Sequence, residues 1–187
     1  MWLRETQTSA LLRDLDDGIP DAAVMALPTG HPGLIECKRV CDQFLLAGSP
    51  QQIARVRGRT ETSCPATLNP DRLLLLDEGH CLADQALDVC QLDRSATRVD
   101  LGVSSLTTLC GLVAAGGGMT FLPALAWSTD RAAAPDLATI PFAAPAPERP
   151  LGLLRKARVP GGAWFDDLAR VLTTAAQDRI DQTDRIS

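Results

Sequence analysis

The chain has 187 residues, enough for one domain or two small lobes with a real hydrophobic core, and its 45% hydrophobic and 22% charged residues are those of an ordinary soluble globular protein. A net charge of -5, with 18 scattered Lys and Arg, excludes a chain that grips nucleic acid or an anionic membrane by itself.

The first stretch, MWLRETQT, reads as a strand and lacks the apolar run of a signal peptide, so the expected compartment is the cytoplasm. Thiols stay reduced there, and six cysteines are not a ready-made disulfide framework. SALLRDLDD reads as a helix, with Thr8 or Ser9 as N-cap and Gly18 in the left-handed position that ends it. DAAVMAL is a second strand, completing a β-α-β unit whose strands should lie parallel. GLIECKRVCDQFLLAGSP suggests two short strands and a break at Gly48-Ser49-Pro50, after which residues 51–69 are polar with weak helix signals.

DRLLLLD is a buried strand by its unbroken apolar run, followed by a helix at CLADQALDVCQLD. SSLTTLCGLVAA is another helix, stopped by Gly116, Gly117 and Gly118, and MTFLPALA a strand. The uncharged segment 101–129 is longer than a bilayer helix requires, but the glycines and Pro123 break it, and no membrane span is expected. An Ala- and Pro-rich connection holds one short strand at ATIPF, LGLLRKA is a strand, and AWFDDLARVLTTAAQDRI is a helix with Trp164, Leu168, Val171 and Ala175 on one face. Strands and helices alternate, so the class is α/β with mostly parallel sheets flanked by helices. The breaks near Gly48 and Pro150 mark two crossings: residues 1–47 and 151–187 are expected to form a discontinuous first lobe, and 48–150 a second.

The glycine triplet does not support phosphate chemistry of the dinucleotide type, which needs glycines between a strand and the start of a helix. Here the helix comes first. No Walker-type or G-x-S-x-G motif occurs, and a hydrolase triad would have to draw on His31 and His80 alone. Cys37 and Cys41, four steps apart in extended chain, are about 13 Å apart, too far for joint chelation. No metal or cofactor is expected, and Cys37, Cys41, Cys64 and Cys110 are taken as small buried or half-buried residues.

The segment DEGHCLADQALDVC, Asp77 to Cys90, carries a more specific signal. Cys81 follows a Glu78-Gly79 turn and should sit in the first turn of a helix, where unpaired N–H groups and the helix dipole favour a thiolate, with His80 adjacent. Such a thiolate attacks peroxide and becomes a sulfenic acid. Cys90 is in phase with Ala83, Ala86 and Leu87 and belongs on the buried face. In one continuous helix the two are separated by about 13 Å and roughly half a turn, whereas a disulfide needs Cα atoms within about 7 Å. Either the helix unwinds when they join, or they are two unconnected helix cysteines.

LVAAGGGMTFLPALA resembles the signature of the effector-binding domains of LysR-type transcriptional regulators, which are two-lobed and similar to periplasmic binding proteins. LLLLDEGHCLADQALDVC resembles the peroxide-sensing segment of the OxyR group of that family, and ETQTSALLRDLDDGIPDAAVMAL looks like its early β-α-β unit. The resemblance implies a hydrogen-peroxide sensor, not an enzyme, in which Cys81 is oxidised and Cys90 resolves its sulfenic acid into a disulfide. It implies that Thr8, Gly79, His80 and Asp84 surround the peroxide, that the protein is a homodimer or homotetramer whose subunits rotate on oxidation, and that glutaredoxin and glutathione reduce it. DNA would be bound only through a winged helix-turn-helix that this sequence lacks. The first βα unit of the regulatory domain is also expected to be missing, exposing core surface. Ala83 stands where relatives commonly carry Arg, removing one stabiliser of the thiolate. Two other readings remain: an effector domain binding a small metabolite between the lobes, and a thiol peroxidase.

Overall fold

The structure, a computed structural model, describes residues 2–77, 81–92 and 102–184. Helix α1 (Thr8–Asp17) begins one residue earlier than the sequence suggests: Gln7 is its N-cap, its carbonyl accepting the Leu11 N–H at 2.9 Å, so Thr8 is a helical residue and no side chain caps this end. Gly18 ends it at φ 77°, the left-handed conformation a residue without Cβ adopts at little cost. The Lys156 ammonium donates to the Asp16 carbonyl there, a cation at the negative end of the helix dipole.

Strand β2 (Leu34–Gly48) is the spine of the molecule. The two short strands expected here are one, because the polar residues Glu36, Lys38 and Gln43 mark a partly exposed strand and not an interruption. Its first part pairs antiparallel with β5 (Glu148–Lys156), from Leu34 opposite Lys156 to Gln43 opposite Glu148, with a bulge between Lys38 and Val40. Its second part pairs antiparallel with β3 (Thr120–Pro123) on one side and β4 (Ala138–Pro141) on the other. Strand β1 (Ala23–Ala26) lies antiparallel to β5, giving the order β1-β5-β2-β3.

The α/β class stands, but the mostly parallel sheets do not: every pairing between these strands is antiparallel. Residues 2–7 form no strand, and Trp2 and Leu3 are exposed, so β1 has no crossover partner and lies beside the distant β5 instead. The parallel element is the run Leu73–Leu76, all four side chains buried. It pairs through one bridge from Leu73 to Met119 and the bonds Leu74 N–H to Met119 O and Met119 N–H to Arg72 O, both 2.8 Å.

Helix α2 (Pro50–Val56) forms where only weak signals were read, held by a capping box between Ser49 and Gln52. After the short α3 (Thr60–Ser63) come α4 (Cys81–Cys90), α5 (Leu106–Ala114), α6 (Trp127–Ala133) and α7 (Gly162–Asp184). The face expected to be buried on α7 is wrong by one residue: Phe165 and Ala169 pack with Leu153, while Trp164 and Val171 are 44% and 61% exposed. One residue is about 100° of helix rotation.

The main core runs from Phe44 to Phe142 and includes Cys90 and Cys110; Phe121 packs edge-on to Phe44 and stacked on Phe142. Two smaller clusters lie around Leu15, Met25 and Leu154 and around Leu153, Phe165 and Ala169. Where β2 passes from β5 to β3, the fully buried Asp42 accepts two hydrogen bonds from Arg149 at 2.9 and 3.0 Å and one from the Leu125 N–H at 3.0 Å. Among the described residues, no helix is long and apolar enough to cross a membrane.

Candidate redox site

The buried run Leu73–Leu76 delivers the chain to α4, with the Asp77 N–H bonded to the Val103 carbonyl at 2.9 Å. Cys81 is the first residue of α4 and half-buried; Cys90 is the last and 1% exposed. The buried face of α4 is Ala83, Ala86, Leu87 and Cys90, the set the phase argument selects. Both cysteines are free thiols. A continuous ten-residue α-helix holds its end residues about 13 Å apart along its axis, well beyond disulfide reach. Burial pushes the Cys90 thiol up to about 12, so the reduced helix keeps it protonated and inert as a nucleophile.

Asp84 is exposed in the first turn of α4, three residues after Cys81. Thr8 opens α1, half-buried, on a helix that packs against β1 and β5. Gly79 and His80 lie outside the described residues. Gln85 is not among the residues the sequence singles out: its side-chain oxygen is buried without a hydrogen-bond partner among the described residues. The signal was its spacing, four residues after Cys81 and therefore on the same side of the helix. An unpaired buried amide oxygen is a costly group that a small hydrogen-bonding molecule would satisfy.

Ala83 is 1% exposed and packed in the main core, so the position for which the resemblance suggests Arg is here an apolar one. Of the remaining cysteines, Cys110 is fully buried, its thiol raised to about 12 by burial and then by the Asp130 carboxylate, which itself accepts a hydrogen bond from Thr107 at 2.8 Å. Cys41 is half-buried on β2, where its hydrogen bond and charge raise the pKa of the exposed Lys38 ammonium. Cys64 is exposed. His31 pairs with Asp16 at 2.9 Å. Among the described residues no three His, Cys, Asp or Glu side chains converge as a metal site.

Comparison with known proteins places this geometry among relatives. Residues 1–177 match the family described as LysR substrate binding domain. The chain is 36% identical over 179 residues to a "Probable hydrogen peroxide-inducible genes activator" of Streptomyces viridosporus, covering 95% of this chain and 56% of that protein. It is 32% identical over 184 residues to the "DNA-binding transcriptional dual regulator OxyR" of Escherichia coli, covering 97% of this chain and 58% of that one. The chain thus spans a little over half the length of these relatives. A hydrogen-peroxide-bound cysteine-to-serine mutant of Corynebacterium glutamicum OxyR superposes with a TM-score of 0.85 at 33% identity, over 97% of this chain and 56% of that chain. The reduced regulatory domain of Vibrio vulnificus OxyR2 superposes with a TM-score of 0.77 at 26% identity, over 92% of this chain and 80% of that chain. With nearly all of its length matched, the chain belongs to the family of LysR substrate binding domains.

Proposed function

We propose that this chain is the hydrogen-peroxide-sensing regulatory domain of a LysR-type transcription regulator, and that its switch is the pair Cys81 and Cys90. The observation that carries the reading is their placement at opposite ends of one short helix, the first half-buried at its start, the second sealed in the core. The Cys81 thiolate attacks one peroxide oxygen, the O–O bond breaks, and the departing hydroxide takes a proton to leave as water. Cys81 is then a sulfenic acid. Cys90 attacks its sulfur, a second water leaves, and a disulfide forms; two electrons from the two thiols have reduced one peroxide to two waters.

Around this chemistry Thr8, Gly79, His80 and Asp84 hold the peroxide, and Gln85 adds a hydrogen-bonding group on the helix itself. The domain acts once per reduction, as a switch and not a turnover enzyme, and glutathione with glutaredoxin resets it. Two lobes, 1–47 with 151–187 and 48–150, complete the proposal: the clusters around Leu15 and around Leu153 are separate from the main core, although Phe44–Ala47 of β2 pack in that core. Oxidation reorganises the homodimer or homotetramer, and DNA is engaged by a domain outside this chain. The Streptomyces viridosporus relative named as a probable hydrogen peroxide-inducible genes activator, and the hydrogen-peroxide-bound OxyR structure, support the reading.

The test is a count of free thiols after stoichiometric peroxide. The chain should lose two of its six, the Cys81→Ser variant none, and the Cys90→Ser variant should stop at a Cys81 sulfenic acid that a dimedone probe traps. Oxidation spread over all six, or an unreactive Cys81, would overturn it.

A further inference from the structure

At the end of the buried run Leu73–Leu76 away from α4 lies an open cavity of about 310 Å³. It is lined by Ser49, Gln52, Arg55, Arg72 and the glycine loop Gly116–Gly118, with Gln51 at its side and no Asp or Glu. In a chain of net charge -5 this is an acid-free concentration of positive charge. Neither guanidinium pairs with a carboxylate of a described residue.

The neutral side chains are held in place. Gln52 is committed, its side-chain oxygen accepting the Ser49 N–H at 2.9 Å and its amide donating to the Gly116 carbonyl at 3.3 Å. Ser49 Oγ accepts the Gln52 N–H at 3.4 Å, which leaves the hydroxyl hydrogen free to donate. The glycine loop lies close against the buried run, where a Cβ on Gly118 would lie 2.6 Å from the Arg72 carbonyl. Two planar guanidinium forks and a hydroxyl donor among the groups lining one space match a tetrahedral oxyanion, which accepts paired N–H bonds from an Arg.

We infer that the Arg55–Arg72 cavity is an anion-binding site for a phosphate group, carried as inorganic phosphate or as the end of a small phosphomonoester. It shares no lining residue with the thiol pair: neither Cys81 nor Cys90 borders it. The inference does not depend on the peroxide reading.

The experiment is calorimetric titration of the reduced chain with inorganic phosphate and, separately, with glycerol phosphate, against chloride at matched ionic strength. Arg55→Gln and Arg72→Gln are run beside it, with thermal melts to verify that both fold. Saturable one-site binding of either ligand, weakened about tenfold or more by each variant at unchanged melting temperature, is the expected result. Tighter glycerol phosphate would identify the phosphomonoester as the natural form, tighter inorganic phosphate the free ion. Overturning it requires only that neither ligand gives saturable heat up to concentrations on the order of 10 mM, or that both variants bind as the parent does.

Discussion

At the scale of single residues, Cys81 and Cys90 differ in environment more than in chemistry. One is half-buried at a helix start; the other is held protonated by the core, with its thiol raised to about 12. Their difference in burial is legible in the sequence because Ala83, Ala86 and Leu87 set the phase that buries Cys90. The meaning of Ala83 was not. Against the Arg that the resemblance suggests, it reads as a lost positive charge; in the structure it is a packed core methyl. Ala83→Arg should therefore not sharpen the thiol but destabilise the chain, by about 3 kcal/mol or more, because a guanidinium must be buried or α4 displaced. A urea titration measures this, and a variant as stable as the parent would show that the arginine can escape to solvent. Gln85 was missed because nothing in a sequence says which buried amide lacks a partner.

At the scale of elements, α4 was recognised from its apolar phase, whereas α2 was discounted although Ser49 and Gln52 spell out its capping box. The face of α7 was misjudged because Trp164 outweighs Phe165 in any reading by hydrophobicity, yet it is Phe165 that meets Leu153 on β5. The glycine triplet was read correctly as a helix stop, and Gly118 has a second duty of close approach: its absent Cβ would meet the Arg72 carbonyl and Leu74 Cγ at 2.6 and 2.7 Å. Gly118→Ala should cost about 1–3 kcal/mol as the buried run shifts, measurable as a lower melting temperature. The helices also carry a pH signature. Folding holds the Cys90 and Cys110 thiols protonated up to about pH 12, while the unfolded chain ionises them near the ordinary 9.0. Above pH 9 the unfolded chain thus binds fewer protons, and the stability of the reduced chain should fall as pH rises toward 12. In the Cys90→Ala/Cys110→Ala double variant, denaturation midpoints across that window should show a smaller fall.

At the scale of the whole molecule, the α/β class followed from alternating elements, but the sheet direction did not. Local pattern cannot tell that β1 will lie beside β5, more than a hundred residues away, or that β2 runs unbroken through both sheets. The Asp42–Arg149 pair, where β2 changes partners, is equally non-local. Removing Arg149 strands a fully buried carboxylate, so Arg149→Ala should cost about 3–5 kcal/mol, and replacing both residues by apolar ones of similar size should cost less than the two single changes together. A double-mutant cycle in urea decides it. Two thiols that one helix holds apart can bond only if that helix opens, so in the proposed switch oxidation becomes a change of shape. Amide hydrogen exchange over residues 81–90, compared between the reduced and the peroxide-oxidised chain, tests this directly. Protection is expected in the reduced chain and should be lost once the Cys81–Cys90 disulfide has formed; a disulfide formed with that protection intact would rule out the proposed switch.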